Sequence, residues 1–212
     1  MKTTLNKIRK HSPCTDGWEK LLSYLGKTKA DDEEISVLTI LDSNGLDDAM
    51  WCLRAVEGRD KEIRLFAVWC ARQVQNLMTD QRSLDALDVA ERFANGEATE
   101  AARVAARDAA TEAARAADKA ARAAADAARV AADAAVAAVA TEAARVAAEA
   151  ARAAWVAWYA SRAADEAAYW AADEAAYWVA AEAAWAAMAA AHTNAMDEMR
   201  QRQEAELRRI CE

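Results

Sequence analysis

The sequence predicts an all-α fold, and three observations support this prediction. Residues 97–191 are more than half alanine and contain neither glycine nor proline. Charged side chains recur there every three or four positions, which is the period of an α-helix. Apolar residues before position 96 follow the same spacing, and no run alternates apolar and polar residues as a strand would. We therefore expect a compact N-terminal helical module over 1–96, followed over 97–212 by long antiparallel alanine-rich helices (a helical hairpin or bundle) and a C-terminal helix.

Within the N-terminal module, turn residues separate four or five short helices. The first dozen residues are basic and are predicted to be loose. Gly26 is expected to end a first helix, and Gly45 a second, with Asn44 or Asp47 capping the next. Further helices are predicted over 46–56, over 61–77 and from Asp80 or Ser83 to Asn95. The cluster Asp42, Asn44, Asp47 and Asp48 superficially resembles a calcium loop. Its glycine lies at the wrong position and the closing glutamate is missing, so capping is the better interpretation.

The alanine-rich half is too long for one helix of a globular protein, because 97–191 would extend about 140 Å at ~1.5 Å per residue. The sequence TEAAR occurs at Thr99, Thr111 and Thr141, and threonine can cap a helix. We expect one break near 138–141 and a second at 192–194. A last amphipathic helix is predicted over 195–210, with Arg208 and Arg209 at its C-terminal end.

The most informative stretch is 164–179, where ADEAAYW occurs twice in tandem. Steps of four place aromatic and acidic side chains together on two adjacent ridges of a helix. No lysine or arginine occurs from 163 to 199, so these carboxylates have no basic partner on their own helix. One interpretation is packing, in which the aromatics cover a neighbouring helix. The other is a docking face for a basic protein surface, since Tyr and Trp are enriched at binding hot spots. The candidate partner-binding residues are Asp165, Glu166, Tyr169, Trp170, Asp173, Glu174, Tyr177 and Trp178.

Composition limits the other function classes. A net charge of −8 argues against binding to nucleic-acid phosphates. The start lacks the apolar core of a signal peptide, and no uncharged run reaches the length of a membrane span. The four cysteines are widely spaced, so we expect reduced thiols, a cytoplasmic location and buried positions for Cys52 and Cys70.

The sequence lacks the residues and motifs that are typical of an enzyme. His11 and His192 are the only histidines, and there is no glycine-rich phosphate loop or nucleophile motif. His11 and Cys14 could supply half of a metal site, but no second pair follows at a suitable distance. We therefore expect no catalysis, no metal and no cofactor.

Three segments carry a resemblance to a known family. VLTILDSNGLDDAMWCLRAV (37–56), EIRLFAVWCARQV (62–74) and LDVAERFANG (87–96) resemble bacterial and prophage immunity proteins of the Imm-5-like family. The resemblance covers the first half of the chain, and the second half matches in composition alone. It implies a helical protein that binds and silences a toxin, and it transfers no catalytic or binding motif to numbered residues.

The function expected is a non-catalytic, protein-binding inhibitor that neutralises a bacterial toxin or effector by occlusion. Its partner would carry a basic surface. One alternative is a prophage-encoded anti-defence inhibitor, for example of a CRISPR or other nuclease complex, which would be the same kind of molecule. The other is a structural protein that forms homo-oligomers through its alanine faces.

Overall fold

A computed structural model describes residues 1–137, 156, 160, 162–163, 182–183, 185–186 and 195–212. In the continuous ranges, eight α-helices and one two-stranded sheet form, which confirms the all-α prediction. The strands are β1 (Lys2–Thr4) and β2 (Glu34–Ser36), and short 3-10 turns follow α4 and α5. The helices are α1 (Leu5–Lys10), α2 (Thr15–Tyr24), α3 (Val37–Asn44), α4 (Leu46–Cys52), α5 (Asp60–Arg72), α6 (Gln81–Ala94), α7 (Glu100–Ala137) and α8 (Ala195–Cys211).

The start of the chain is ordered, so the prediction of a loose basic segment was wrong. β1 pairs antiparallel with β2, with Thr3 opposite Ile35. The Thr3 hydroxyl donates to the carbonyl oxygen of Ala55 at 2.5 Å. Leu5 and Ile8 then point into the core and are almost fully buried. Local charge gave no sign of this arrangement, because a strand pairing across thirty residues depends on contacts that are distant in sequence.

Gly45 separates α3 from α4, as expected. Its φ of +97° lies in the left-handed region, which glycine enters without the steric cost of a Cβ. The expectation that Asn44 or Asp47 caps α4 was wrong, because Gly45 itself occupies the N-cap and no side chain caps the helix. Asn44 instead donates to the Gly17 carbonyl oxygen at 2.8 Å and to Asp48 Oδ2 at 2.7 Å. These bonds tie α2, α3 and α4 together.

Helix α6 packs against both α5 and α7. Asp80 caps α6, because its carboxylate accepts from the Arg82 amide at 2.9 Å. The Phe93 ring lies beneath the guanidinium groups of Arg64 and Arg103, at 5.0 and 5.5 Å from the ring centroid. One aromatic side chain therefore contacts a cation from each neighbouring helix.

Helix α7 is the long alanine-rich helix that the composition predicts. Its 38 residues extend about 57 Å at ~1.5 Å per residue. Thr99 caps it, since the Ala102 amide donates to the Thr99 hydroxyl oxygen at 3.2 Å. Thr111 lies inside the helix and donates to the Arg107 carbonyl oxygen at 2.9 Å. The predicted breaks at 138–141 and 192–194, and the antiparallel hairpin between them, lie outside the described residues.

Helix α8 returns to the N-terminal module, and its range agrees with the predicted 195–210. It packs on α3, α4 and α5, and Met199, Leu207 and Cys211 join the core that Leu5 and Phe66 help to form. The Met1 amino group donates to the Cys211 carbonyl oxygen at 2.5 Å. The domain boundary at 96/97 stays a prediction, but α8 shares its core with the module over 1–96.

Replacing Leu207 with alanine tests how strongly α8 is held. Leu207 is fully buried, so Leu207→Ala should lower the free energy of unfolding by about 2–5 kcal/mol. Urea denaturation followed by circular dichroism measures this change. Arg202→Ala on the exposed side of α8 is the matched control and should stay within about 0.5 kcal/mol of the wild type. Equal stability of the two variants would contradict the packing of α8.

The repeated TEAAR sequence offers a second test with its own control. Thr99→Ala removes the cap of α7 and should cost about 1 kcal/mol of stability. Thr111→Ala changes the same residue in the same local sequence, but inside the helix, where alanine has the higher propensity. Its thermal midpoint should be unchanged or slightly raised. A midpoint that falls as far for Thr111→Ala as for Thr99→Ala would disprove the assignment of the cap.

Candidate functional site

All eight candidate partner-binding residues lie outside the described part of the chain, so their role stays a prediction. They are Asp165, Glu166, Tyr169, Trp170, Asp173, Glu174, Tyr177 and Trp178. Described residues lie on both sides of them.

The flanking residues present alanine to the core and tryptophan to solvent. Ala163 on one side, and Ala183 and Ala186 on the other, are buried in the same core cluster as Leu207. Trp185 lies between the last two and is 48% exposed. A tryptophan normally buries most of its large surface, so an exposed one on a segment otherwise anchored by alanine is notable. Helical residues only one or two positions apart therefore face opposite environments here.

Spacing relates Trp185 to the predicted ridges. It follows Trp178 by seven residues, and on a helix this separation returns to nearly the same face. Glu182, which is helical and half-buried, lies three positions before Trp185 and four after Trp178. A continuous helix through this segment, as the sequence predicts, would therefore place Trp185 in register with the Trp and Glu ridge of the tandem repeat.

The tryptophans of the N-terminal module occupy a different environment. Trp51 and Trp69 are half-buried and pack against the core. Trp69 stacks on Phe66 with ring centroids 6.4 Å apart. The Arg54 guanidinium lies 4.4 Å from the Trp51 ring centroid. These two rings are partly covered by their own module.

A half-open cavity of about 330 Å³ lies where α2, α3 and α4 meet. Its walls are mainly apolar and include Trp18, Leu21, Ile40 and Trp51, and Asn44, Asp47 and Asp48 form one polar edge. Sequence reasoning missed this site. The cluster around Asn44 was a visible signal, but it was interpreted as capping because the α2 wall of the cavity lies far away in sequence.

Three of the four cysteines are buried, which confirms the expectation for Cys52 and Cys70. Burial, with a smaller contribution from the nearby Asp48 carboxylate, raises the pKa of the Cys52 thiol to about 12. Burial also raises the pKa of the Cys70 and Cys211 thiols. Cys14 is exposed at the N-cap of α2, at the rim of the cavity.

Two other features are absent from the part of the chain that the structure describes. No group of three or more His, Cys, Asp and Glu side chains is arranged there to hold a metal ion. No helix within those ranges combines the length and the apolar character needed to cross a membrane. Comparison of the chain with family models, curated proteins and solved structures finds no match.

The thiols give a direct test of the burial pattern. Near neutral pH, iodoacetamide should alkylate Cys14 first and leave Cys52, Cys70 and Cys211 unmodified until the protein unfolds, as peptide mass spectrometry would show. Folding keeps the Cys52 thiol protonated, since its pKa rises from 9.0 to about 12. The contribution of this protonated thiol to the free energy of unfolding is therefore complete below pH 9, and it is lost as the pH rises from 9 towards 12. The control, Cys14→Ser, should remove the fast reaction, and alkylation of Cys52 at the rate of Cys14 would refute this assignment.

Proposed function

We propose that the chain is a non-catalytic inhibitor that binds a bacterial toxin or effector through the aromatic and acidic surface around Trp185 and covers the partner's active surface. The exposure of Trp185 is the observation that carries this proposal. Tryptophan is among the residues most enriched at binding hot spots, where it fills a desolvated pocket of the partner. The resemblance of residues 37–56, 62–74 and 87–96 to immunity proteins points to the same class.

Charge favours a basic partner. Between 163 and 199 the chain carries carboxylates but neither lysine nor arginine, and its net charge is −8. An acidic surface speeds encounter with a basic one and opposes acidic competitors, whereas aromatic contacts supply most of the affinity. The predicted ridges from Asp165 to Trp178 would extend the surface on which Trp185 lies.

Occlusion needs a rigid surface rather than a chemical step. Ala183 and Ala186 lie in the core on either side of Trp185, so the indole is presented by an anchored segment. Such preorganisation lowers the entropy lost on binding. An anti-defence inhibitor of a nuclease complex would use the same surface in the same way, and the identity of the captured partner separates the two roles.

Self-association is favoured by a different observation. Val130 on α7 is 61% exposed and lies among alanines that would allow another helix to approach closely. An assembly protein would form oligomers whose size grows with concentration. Light scattering on the full chain separates the classes, because an inhibitor acting alone stays a monomer.

Replacing Trp185 tests the proposed surface. The full chain should capture one partner from host lysate, identified by mass spectrometry, and that purified partner is then used for titration. Trp185→Ala should weaken its binding by about 30-fold or more, as expected for a hot spot worth at least ~2 kcal/mol. The thermal midpoint should change little, since the side chain is half exposed.

Two further variants complete the experiment. Trp170→Ala combined with Trp178→Ala should also weaken binding while helicity is retained. Tyr24→Ala is the matched control, because Tyr24 is 60% exposed but lies on α2 in the N-terminal module. Undiminished binding by Trp185→Ala would disprove the proposal. A large loss of thermal stability in the Trp170 and Trp178 variant would show that those rings are packed in the core.

A further inference from the structure

The cavity between α2, α3 and α4 has the properties of a small-molecule site. Its volume of about 330 Å³ falls within the range of about 300–1,000 Å³ typical of ligand pockets. Such pockets are mostly apolar with a few placed polar groups, and here Trp18, Leu21, Ile40 and Trp51 supply apolar wall while Asn44 and Asp48 supply the polar edge. The site belongs to the N-terminal module and does not depend on the function proposed above.

The polar edge is held in place by its own hydrogen bonds. The Asn44 amide nitrogen donates to the Gly17 carbonyl oxygen at 2.8 Å and to Asp48 Oδ2 at 2.7 Å. Its amide oxygen accepts from the Ser43 hydroxyl at 2.8 Å. Both donors of the amide are therefore in use, and Asn44 fixes the Asp48 carboxylate rather than offering a donor to a ligand.

Asp48 forms no salt bridge with a described residue, and the nearby Lys20 ammonium donates instead to the Asn44 carbonyl oxygen at 3.4 Å. The acidic residues beside it are paired, Asp47 with Arg200 and Asp42 with Arg208, the latter at 2.8 Å. Within the described ranges no lysine or arginine lies within ion-pair distance of Asp48. A half-buried carboxylate at the edge of an apolar cavity gains a charge-assisted hydrogen bond when a cation binds there.

Gly17 shapes the same edge. A Cβ at this position would lie 2.7 Å from Asp48 Oδ2 and 3.1 Å from Cys14 Sγ. The absence of a side chain on α2 therefore lets the carboxylate lie where it does. The position of Asp48 in the first turn of α4 is also favourable for its charge, but that effect does not require a cavity beside it.

We propose that this cavity binds a small organic ammonium ion, with its nitrogen at the Asp48 carboxylate and its apolar body against Trp18 and Trp51. The Trp18 and Trp51 side chains would bury the hydrocarbon part of this occupant, while the carboxylate would bind its charge. An anionic ligand would meet the unpaired carboxylate and be repelled.

Phenethylammonium is a suitable probe, and 2-phenylethanol is its neutral counterpart. Titration of the 15N-labelled full chain, with the indole signals assigned through Trp18→Phe and Trp51→Phe, reports on both walls. Phenethylammonium should shift the two signals saturably, with a dissociation constant in the millimolar range. The alcohol should bind about fivefold more weakly or worse, the difference expected for one ion pair near the surface.

Two variants test the charge of the Asp48 carboxylate and the space beside Gly17. Asp48→Asn keeps the shape of the side chain and should lower the affinity for phenethylammonium to that for the alcohol. Gly17→Ala should weaken binding of both probes, because its methyl group crowds the carboxylate. Asp85→Asn, at an exposed carboxylate on α6, is the matched control and should bind phenethylammonium as the wild type does.

Three results would overturn the proposal. They are the absence of a saturable shift at tens of millimolar phenethylammonium, equal binding of the ammonium ion and the alcohol, and unchanged affinity in Asp48→Asn. The comparison of the two probes uses the wild-type chain, so it decides the question even where a variant is poorly folded. None of these results bears on the proposed binding of a protein partner at Trp185.

Discussion

The burial of α8 against α3, α4 and α5 is the contact on which the rest of the structure depends. Alanine removes little apolar area from water per residue, so a long alanine-rich segment gains little free energy from each contact. Met199 and Leu207 are large apolar side chains beyond that segment, and both are buried in the core of the N-terminal module. The two ends of the alanine-rich sequence are thereby held, at α6 and α7 on one side and at α8 on the other. Larger residues at both ends therefore anchor the alanine-rich sequence.

Ion pairs accompany this contact without accounting for it. Asp42 and Arg208 are both about half exposed, and pairs at such positions contribute about 0–1 kcal/mol. Full burial of a leucine contributes about 1.5–3 kcal/mol. The hydrophobic contact therefore supplies the stability, while the pairs from Asp42 and Asp47 to α8 favour one orientation of the helix. Arg200 and Arg208 of α8 thus pair with Asp47 and Asp42, and neither forms a salt bridge with Asp48 at the edge of the cavity.

The two candidate sites differ in how they are built. The cavity lies among short helices whose positions are set by hydrogen bonds of Asn44 and by close approach at Gly17. Trp185 is carried by a segment whose neighbouring alanines face the core. The first arrangement suits a small ligand that enters between helices, and the second suits a broad protein surface.

Much of the fold could be predicted from local pattern. Apolar spacing, glycine stops and capping residues predicted α5, α6 and α8, because those signals act within a few residues. Thr99 and Thr111 show the limit of such signals, since both begin TEAAR and only the first caps a helix. The same limit applies to β1, whose partner lies thirty residues away, and to the cluster at Asn44, whose role depends on α2.

The sequence by itself determined that the chain is helical, that alanine dominates its second half and that its acidic and aromatic residues recur together. These properties follow from propensity and period, which are local. Only the tertiary structure decided that α8 shares the core of the N-terminal module, that Trp185 is half exposed while Ala183 and Ala186 are buried, and that a cavity edged by Asp48 lies between α2 and α4. These features arise where surfaces distant in sequence meet, and the free energy of such contacts depends on shape and burial that no single segment encodes.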